Sequence, residues 1–230
     1  MSAVPGSVFI TGTDTGVGKT RIACGLLHAL RNAGRSAAGY KPVASGASAS
    51  AGGWRNEDAL ALQAASAPGL AYEAINPYCF AEPIAPHLAA RLAATSIDLA
   101  RLDAAYAMLA RAHQHVVIEG AGGWLVPLND THTFADWVQA HQWPVILIVG
   151  VRLGCINHAL LSAEAIQRRT PLLGWIANHL PPQADAGAEI VESLRLRLPA
   201  PLLAQVADGA NRDQIAEQLS AIVAWSPQRG

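Results

Sequence analysis

Val8-Phe9-Ile10-Thr11, running straight into Gly12-Thr13-Asp14-Thr15-Gly16-Val17-Gly18-Lys19-Thr20, is the stretch whose reading decides the fold. An apolar strand meets a glycine-rich turn, and the turn opens a helix whose Ala23, Leu26, Leu27, Leu30 and Ala33 share one face. Glycines at such a junction let backbone N–H groups crowd round phosphate oxygens, and the helix start adds the positive end of its dipole. Lys19 then stands ready for β- and γ-phosphate oxygens, and the Thr20 hydroxyl for Mg²⁺. The spacing is G-x5-GKT, with Thr13 where the generic pattern wants its first glycine. A glycine-rich turn with an incidental GKT is the bland alternative, and the strand before and helix after weigh against it.

Outward from this loop, short β-branched runs alternate with helical stretches, the pattern of a parallel sheet covered by helices. The sequence predicts strands at Val8–Thr11, Ala37–Tyr40, Val116–Glu119, Val145–Val151, Leu173–Asn178 and Leu202–Val206. Runs without alternation, such as Val145–Val151, suit strands buried on both faces. Helices are expected at about Lys19–Ala33, Glu57–Ala67, Pro86–Ala94, Leu99–Ala112, Phe134–His141, Cys155–Arg169, Ala188–Leu196 and Arg212–Trp225, with Asn56 and Asp98 as N-caps. The expected architecture is α/β of P-loop NTPase type, a mostly parallel sheet with helices on both faces. Ser45–Gly53 reads as a linker or, between two candidate site residues, as a mobile substrate loop. With no boundary elsewhere, residues 1–230 are expected to form a single domain.

Composition excludes several classes. Of 230 residues, 16 are basic and 17 acidic, which argues against a nucleic-acid surface. A hydrophobic fraction of 51% excludes disorder. Mean hydropathy is +0.22, yet apolar runs such as Val145–Val149, extended through Gly150 to Val151, are far short of the roughly 20 residues of a membrane span. The opening MSAVPGSVFITG lacks the basic and long apolar regions of a secretory signal. Three scattered cysteines without a CxxC pair fit neither a disulfide framework nor a zinc site, so a reducing cytoplasm is expected.

Further candidates lie at other strand ends. Glu119 closes an apolar run and is followed by Gly120-Ala121-Gly122; a carboxylate there points into the crevice where open α/β sheets bind ligands. Asp58 sits in the first turn of a predicted helix, where acids also occur for dipole reasons alone. Lys41 ends the second strand, and Lys19 and Lys41 are the only lysines in the chain, every other basic residue being Arg. Two retained point charges at strand-end loops suggest phosphate or carboxylate targets. Gly154-Cys155-Ile156-Asn157 opens a helix after the most apolar strand, and its free N–H groups suit an anion. Cys155 fits a lining thiol better than a nucleophile, since His158 is the only base near it in sequence. Asn178 ends another strand within reach of a nucleotide base. The eight histidines show no metal-ligand spacing. Trp124 alone among the tryptophans falls inside a candidate site loop.

GTDTGVGKT, GYKPVASG, RNEDALALQ, NPYCFAEPIAPH, EGAGGWLVPLNDTHTFADW, VGVRLGCINHALL, GWIANH and LPAPLL, in this order from Val8 to Leu203, together closely resemble the dethiobiotin synthetase family. The lengthened phosphate loop is the family's own form. The resemblance implies an ATP-dependent cyclo-ligase of biotin synthesis that makes dethiobiotin from 7,8-diaminononanoate, CO2, ATP and Mg²⁺. An amine of the substrate would take up CO2 to give a carbamate, the γ-phosphoryl group would convert it to a carbamic–phosphoric anhydride, and the second amine would close the ureido ring.

Carried over residue by residue, the resemblance implies that Gly16, Val17, Gly18, Lys19, Thr20 and Arg21 cradle the nucleotide, with Gly120, Ala121 and Gly122 nearby. Thr20, Asp58 and Glu119 would surround Mg²⁺. Lys41 would bind carbamate and γ-phosphate oxygens, and Thr15 and Ser45 the substrate end. Asn178, with His179, would meet the adenine. Gly154, Cys155, Ile156 and Asn157 would receive the substrate carboxylate from a neighbouring subunit, in a homodimer. Gly16 stands where some members carry Glu, His179 where Asp is familiar, and Val206-Ala207-Asp208 lacks a proline used beside the base. These departures touch base selection, not phosphate chemistry.

A partition or switch ATPase, the rival from another class, usually carries a lysine at the position of Asp14, and this chain does not. A glutamine-dependent amidoligase needs a further domain for which 230 residues leave no room.

Overall fold

The computed structural model describes residues 6–182 and 186–224. Its elements follow in the order β1 (Ser7–Gly12), α1 (Lys19–Asn32), β2 (Ala37–Tyr40), β3 (Val43–Ala44), β4 (Ser48–Ser50), β5 (Gly53–Arg55), α2 (Glu57–Ala65), α3 (Tyr72–Ile75), β6 (Tyr78–Cys79) and α4 (Pro86–Leu92). They continue with α5 (Leu99–Ala112), β7 (His115–Gly123), α6 (Phe134–His141), β8 (Val145–Val151), α7 (Cys155–Gln167), β9 (Leu172–His179), α8 (Gly187–Arg197), β10 (Leu202–Val206) and α9 (Arg212–Ala224). Trp225, the predicted end of the last helix, lies outside the described residues.

Six strands form one sheet in the order β10-β9-β8-β1-β7-β2, and every pairing is parallel. Successive residues point to opposite faces, and here both faces are covered. Phe9, Val116, Ile118, Val145, Leu147 and Val149 join one core with α5, α6, α7 and α8. Ile10, Val117, Ile146, Ile148 and Ile176 join the other with α1, α2 and α9. This double burial is why β8 shows no polar alternation, and each such side chain stabilises the fold by about 1.5–3 kcal/mol. No helix among the described residues is long and apolar enough to cross a membrane.

Two local expectations change. The strand expected to stop at Glu119 runs on to Gly123, with an irregularity in the pairing of β1 to β7: Ile10 faces Glu119 while Gly12 faces Gly123. The extra residues on β7 break the pleat beside the site, as bulges do. The stretch Ser45–Gly53 is not a plain loop; β4 and β5 pair as an exposed antiparallel hairpin, Ser48 opposite Arg55 and Ser50 opposite Gly53. A further two-residue parallel pair, β3 with β6, is too short to leave a periodic signal. Trp124, in the turn that follows β7, is buried in the core and packed edge-on to Phe9.

Candidate active site

The site lies at the carboxyl ends of β1, β2 and β7. Its first part is the turn between β1 and α1. Gly18 is the N-cap of α1 in the left-handed conformation, with φ 90°, and a Cβ there would sit 2.2 Å from Nδ2 of Asn178. Only glycine both adopts that backbone and lets the turn rest on the amide below it. Asn178 is fully buried; Nδ2 donates to the Val17 carbonyl at 2.9 Å and Oδ1 accepts from Nη1 of Arg21 at 3.0 Å. The structure therefore encloses Asn178 beneath the loop, braced between Val17 and Arg21. His179 is the last residue of β9 and half-buried.

Lys19, the first residue of α1, is buried, and its Nζ donates to the Asp14 carbonyl at 2.9 Å. Burial and the neighbouring Lys41 charge lower its pKa to about 8, against the pull of Glu119, Asp58 and Asp14. Thr15, Gly16, Gly18, Thr20 and Arg21 line the same cleft as Lys19, which measures about 740 Å³. Val17 instead turns inward to the core.

The second part is a buried charge cluster. Lys41, 3% exposed, donates to Glu119 Oε1 at 2.5 Å, to Asp58 Oδ2 at 3.1 Å and to the Gly120 carbonyl at 3.3 Å. Thr20 Oγ1 donates to the same Glu119 oxygen at 2.8 Å. Burial works against the Lys41 charge, but the Glu119 and Asp58 carboxylates outweigh it and raise its pKa. Burial opposes ionisation of Asp58 as well, yet the Lys41 ammonium prevails and lowers the Asp58 pKa. Asp58 thus does more than serve the dipole of α2.

The expected N-cap of α2 has a second duty. Asn56 Oδ1 accepts from the N–H groups of Asp58 and Ala59, while its Nδ2 donates to the Ser45 carbonyl at 3.2 Å. It thereby sets the cleft-lining Ser45 against the helix that carries Asp58. Asn76 does the same for Lys41, donating to its carbonyl at 2.7 Å and to that of Tyr78 at 2.9 Å. Asn76 was not legible as a site residue, because its partners lie across a loop and not along an element.

Glu119 is 0% exposed, and its Oε2 has no hydrogen-bond partner. An orphaned carboxylate oxygen is costly unless a cation or donor completes it. With Thr20 and Asp58 it offers hard oxygen donors only, the set that suits Mg²⁺ shared with phosphate oxygens. Among the described residues no group of three or more His, Cys, Asp or Glu could hold a metal, and at this site the third oxygen donor beside the two carboxylates is the Thr20 hydroxyl.

The remaining expected residues divide. Ser45, Ala121 and Gly122 line the cleft, joined by Pro83, Ile84, Ala85 and Pro86, an apolar wall not among the expected site residues. Pro-Ile-Ala-Pro between two short elements was the available signal. Gly154, Cys155, Ile156 and Asn157 do not line it. They begin α7 beyond β8, where Leu153 is 97% exposed and Cys155 buried. Arg152, just before them, forms an ion pair with Asp14 of the phosphate loop.

Comparison with known proteins adds the family. A model described as an AAA domain matches residues 6–216. The ATP-dependent dethiobiotin synthetase BioD of Aromatoleum aromaticum is 50% identical over 220 residues, covering 94% of this chain and 97% of its own. The chain belongs to the ATP-dependent dethiobiotin synthetase family. Another member, from Pseudescherichia vulneris, is 50% identical over 199 residues, covering 86% of this chain and 83% of its own. Among solved structures, the signal recognition particle 54 kDa protein from Aeropyrum pernix K1 in complex with GDP aligns with a TM-score of 0.51 at 17% identity. It spans 97% of this chain and 47% of that one, a likeness of fold alone. The expected α/β P-loop architecture and the family both stand.

Proposed function

We propose that the chain is an ATP- and Mg²⁺-dependent cyclo-ligase, residues 1–230 acting as one P-loop unit, that converts 7,8-diaminononanoate and CO2 to dethiobiotin with release of ADP and phosphate. The observation that carries this reading is the buried Lys41 ammonium between Glu119 and Asp58, within one cleft with Lys19 and Thr20. A switch ATPase would usually carry a lysine at the position of Asp14, which this chain lacks.

In this reading Lys19 and the N–H groups at the start of α1 bind the β- and γ-phosphates. Thr20, Asp58 and Glu119 hold Mg²⁺, which when bound neutralises charge on the phosphate oxygens. Thr15 and Ser45 bind the substrate end, and Pro83, Ile84 and Ala85 shield its alkyl chain from water. One substrate amine, with CO2, yields a carbamate and a proton, and Lys41 binds the carbamate oxygen. That oxygen takes the γ-phosphoryl group, ADP leaves, and Lys41 steadies the charge in flight. The second amine attacks the carbonyl of the anhydride, the ring closes and phosphate departs. Both nitrogens must reach one carbonyl, so the positions set by Thr15, Ser45 and Lys41 supply much of the effect.

Asn178 and His179 mark the adenine side. Gly154, Cys155, Ile156 and Asn157 of a second copy receive the substrate's carboxylate, in a homodimer whose sites each draw on both chains. Mass spectrometry of the product from diaminononanoate, bicarbonate, ATP and Mg²⁺ tests the reading. Dethiobiotin and ADP should form one-for-one, and only with all four components. ATP hydrolysis undiminished without the diamine would overturn it.

A further inference from the structure

We propose that Arg21 is a positioning residue for the nucleobase, acting through the strand end and loop that it ties together; the proposal rests on the nucleotide site inferred above. Arg21 stands in the first turn of α1. Its Nη1 donates to Asn178 Oδ1 at 3.0 Å, and its Nη2 donates to the carbonyls of Ala207 at 2.8 Å and Ala210 at 2.9 Å. These acceptors lie 157, 186 and 189 residues further along the chain.

One guanidinium thus joins the phosphate-loop helix to the end of β9 and to the loop that follows β10. The loop has little else to hold it. Ala207, Asp208 and Gly209 are exposed, and within the described loop a backbone bond from Ala210 N to the Ala207 carbonyl, at 3.3 Å, closes the turn.

The placement is unfavourable by itself. A cation in the first turn of a helix opposes the helix dipole, which favours acids there. Three oxygen acceptors offset that cost, and they need a fork: a planar guanidinium serves divergent acceptors together, while an ammonium on a flexible stem does not. Asn178 is oriented by the same contact. With Oδ1 taken by Arg21 and Nδ2 donating to Val17, its amide cannot flip without breaking both bonds.

Phosphates bound at Lys19 leave the nucleoside to extend along the carboxyl ends of the strands, where open α/β sheets bind ligands. Beyond β8, the strand ends on the Arg21 side are those of β9 and β10. The segments that Arg21 fixes are therefore the ones that the base meets. Arg21 holds the loop after β10 through the Ala207 and Ala210 carbonyls.

The test compares a ligand with a base and one without. Calorimetry with ADP and with inorganic tripolyphosphate, at fixed Mg²⁺, is run on wild type, Arg21→Met and Arg21→Lys. Arg21→Met keeps the stem and loses the fork; ADP should bind about tenfold more weakly, the scale of a lost charged hydrogen-bond set, with tripolyphosphate unchanged. Arg21→Lys should fall between the two for ADP. Unchanged ADP affinity in Arg21→Met would overturn the proposal. So would equal weakening of both ligands, which would assign Arg21 to the phosphates or to the fold. If Arg21→Met does not fold, Arg21→Lys decides: weaker ADP with unchanged tripolyphosphate supports the role, and wild-type ADP binding removes it. Wild type that binds neither ligand would sink the nucleotide site itself, whatever the variants do.

Discussion

Two helix starts in this molecule look alike and differ in what surrounds them. The starts of α1 and α7 follow neighbouring central strands, β1 and β8, and each is capped by a glycine in the left-handed conformation, Gly18 at φ 90° and Gly154 at φ 89°. Neither cap makes a side-chain hydrogen bond. Around α1 the chain closes in: Lys19 is buried, Asn178 lies beneath the turn, and Lys41, Glu119 and Asp58 stand opposite. Around α7 it does not, and Gly154, Asn157 and His158 are exposed. A strand–glycine–helix junction thus supplies donors, but it becomes a site only when distant segments build the facing wall. For α7 the proposed function takes that wall from a second copy.

The largest expected effect tests the wall facing α1. Lys41→Gln should lower turnover by about 100-fold or more, as for removal of a charge aimed at developing anions, with ATP affinity nearly intact. Lys19→Gln should weaken ATP binding as well. Steady-state kinetics beside nucleotide titration separates the two, and near-normal turnover in Lys41→Gln would dismiss its role.

Next comes the open helix start. Lys19→Ala and Asn157→Ala, each inactive alone, should on subunit exchange recover about a quarter of wild-type activity, because half the dimers are mixed and each mixed dimer has one intact site. No recovery, with exchange confirmed by mass, returns α7 to its own chain.

A smaller change is expected at the cation. Asp58→Asn and Glu119→Gln should each raise the Mg²⁺ needed for half activity several-fold, since each removes a charge from a hard-oxygen set. An unchanged Mg²⁺ dependence would leave Asp58 with only its helix-start duty.

The smallest effect concerns the far end of α7. Arg169, two residues beyond that helix, forms an ion pair with Asp136, which also completes the capping box of α6 with Thr133. Hydrogen bonds from Thr133, then the Arg169 charge, lower the Asp136 pKa to about 2. The unfolded value is about 3.9, so its contribution is present above that pH and fades as pH falls through about 2. Asp136→Asn should cost about 1 kcal/mol at neutral pH, the scale of a helix cap, in chemical denaturation. A difference from wild type that did not shrink in acid would point to packing instead.

Legibility followed distance along the chain. The phosphate loop, the six strands of the sheet and the helices between them, the four-residue α3 excepted, could be read because each signal lies within one window. The parallel arrangement was legible from β8, apolar throughout because both its faces are covered. Asp58 could not be settled from its neighbours: an acid in a first turn looks the same whether or not a lysine 17 residues earlier meets it. Asn76 and Pro83–Pro86 escaped because turns that place a side chain in a cleft have no period. The β4–β5 hairpin escaped because small, exposed residues carry no alternation.

By itself, the sequence determined the glycine-rich turn, the strand–helix alternation and the presence of only two lysines, since backbone freedom, periodicity and residue type are local properties. The tertiary structure alone decided that Lys41 meets Glu119 78 residues away, that Thr20 meets it from 99 residues away, and that Glu119 keeps one buried oxygen free. Those contacts depend on how β1, β2 and β7 lie side by side, and strand order is set by burying both faces of the sheet at once, a condition that no single segment contains.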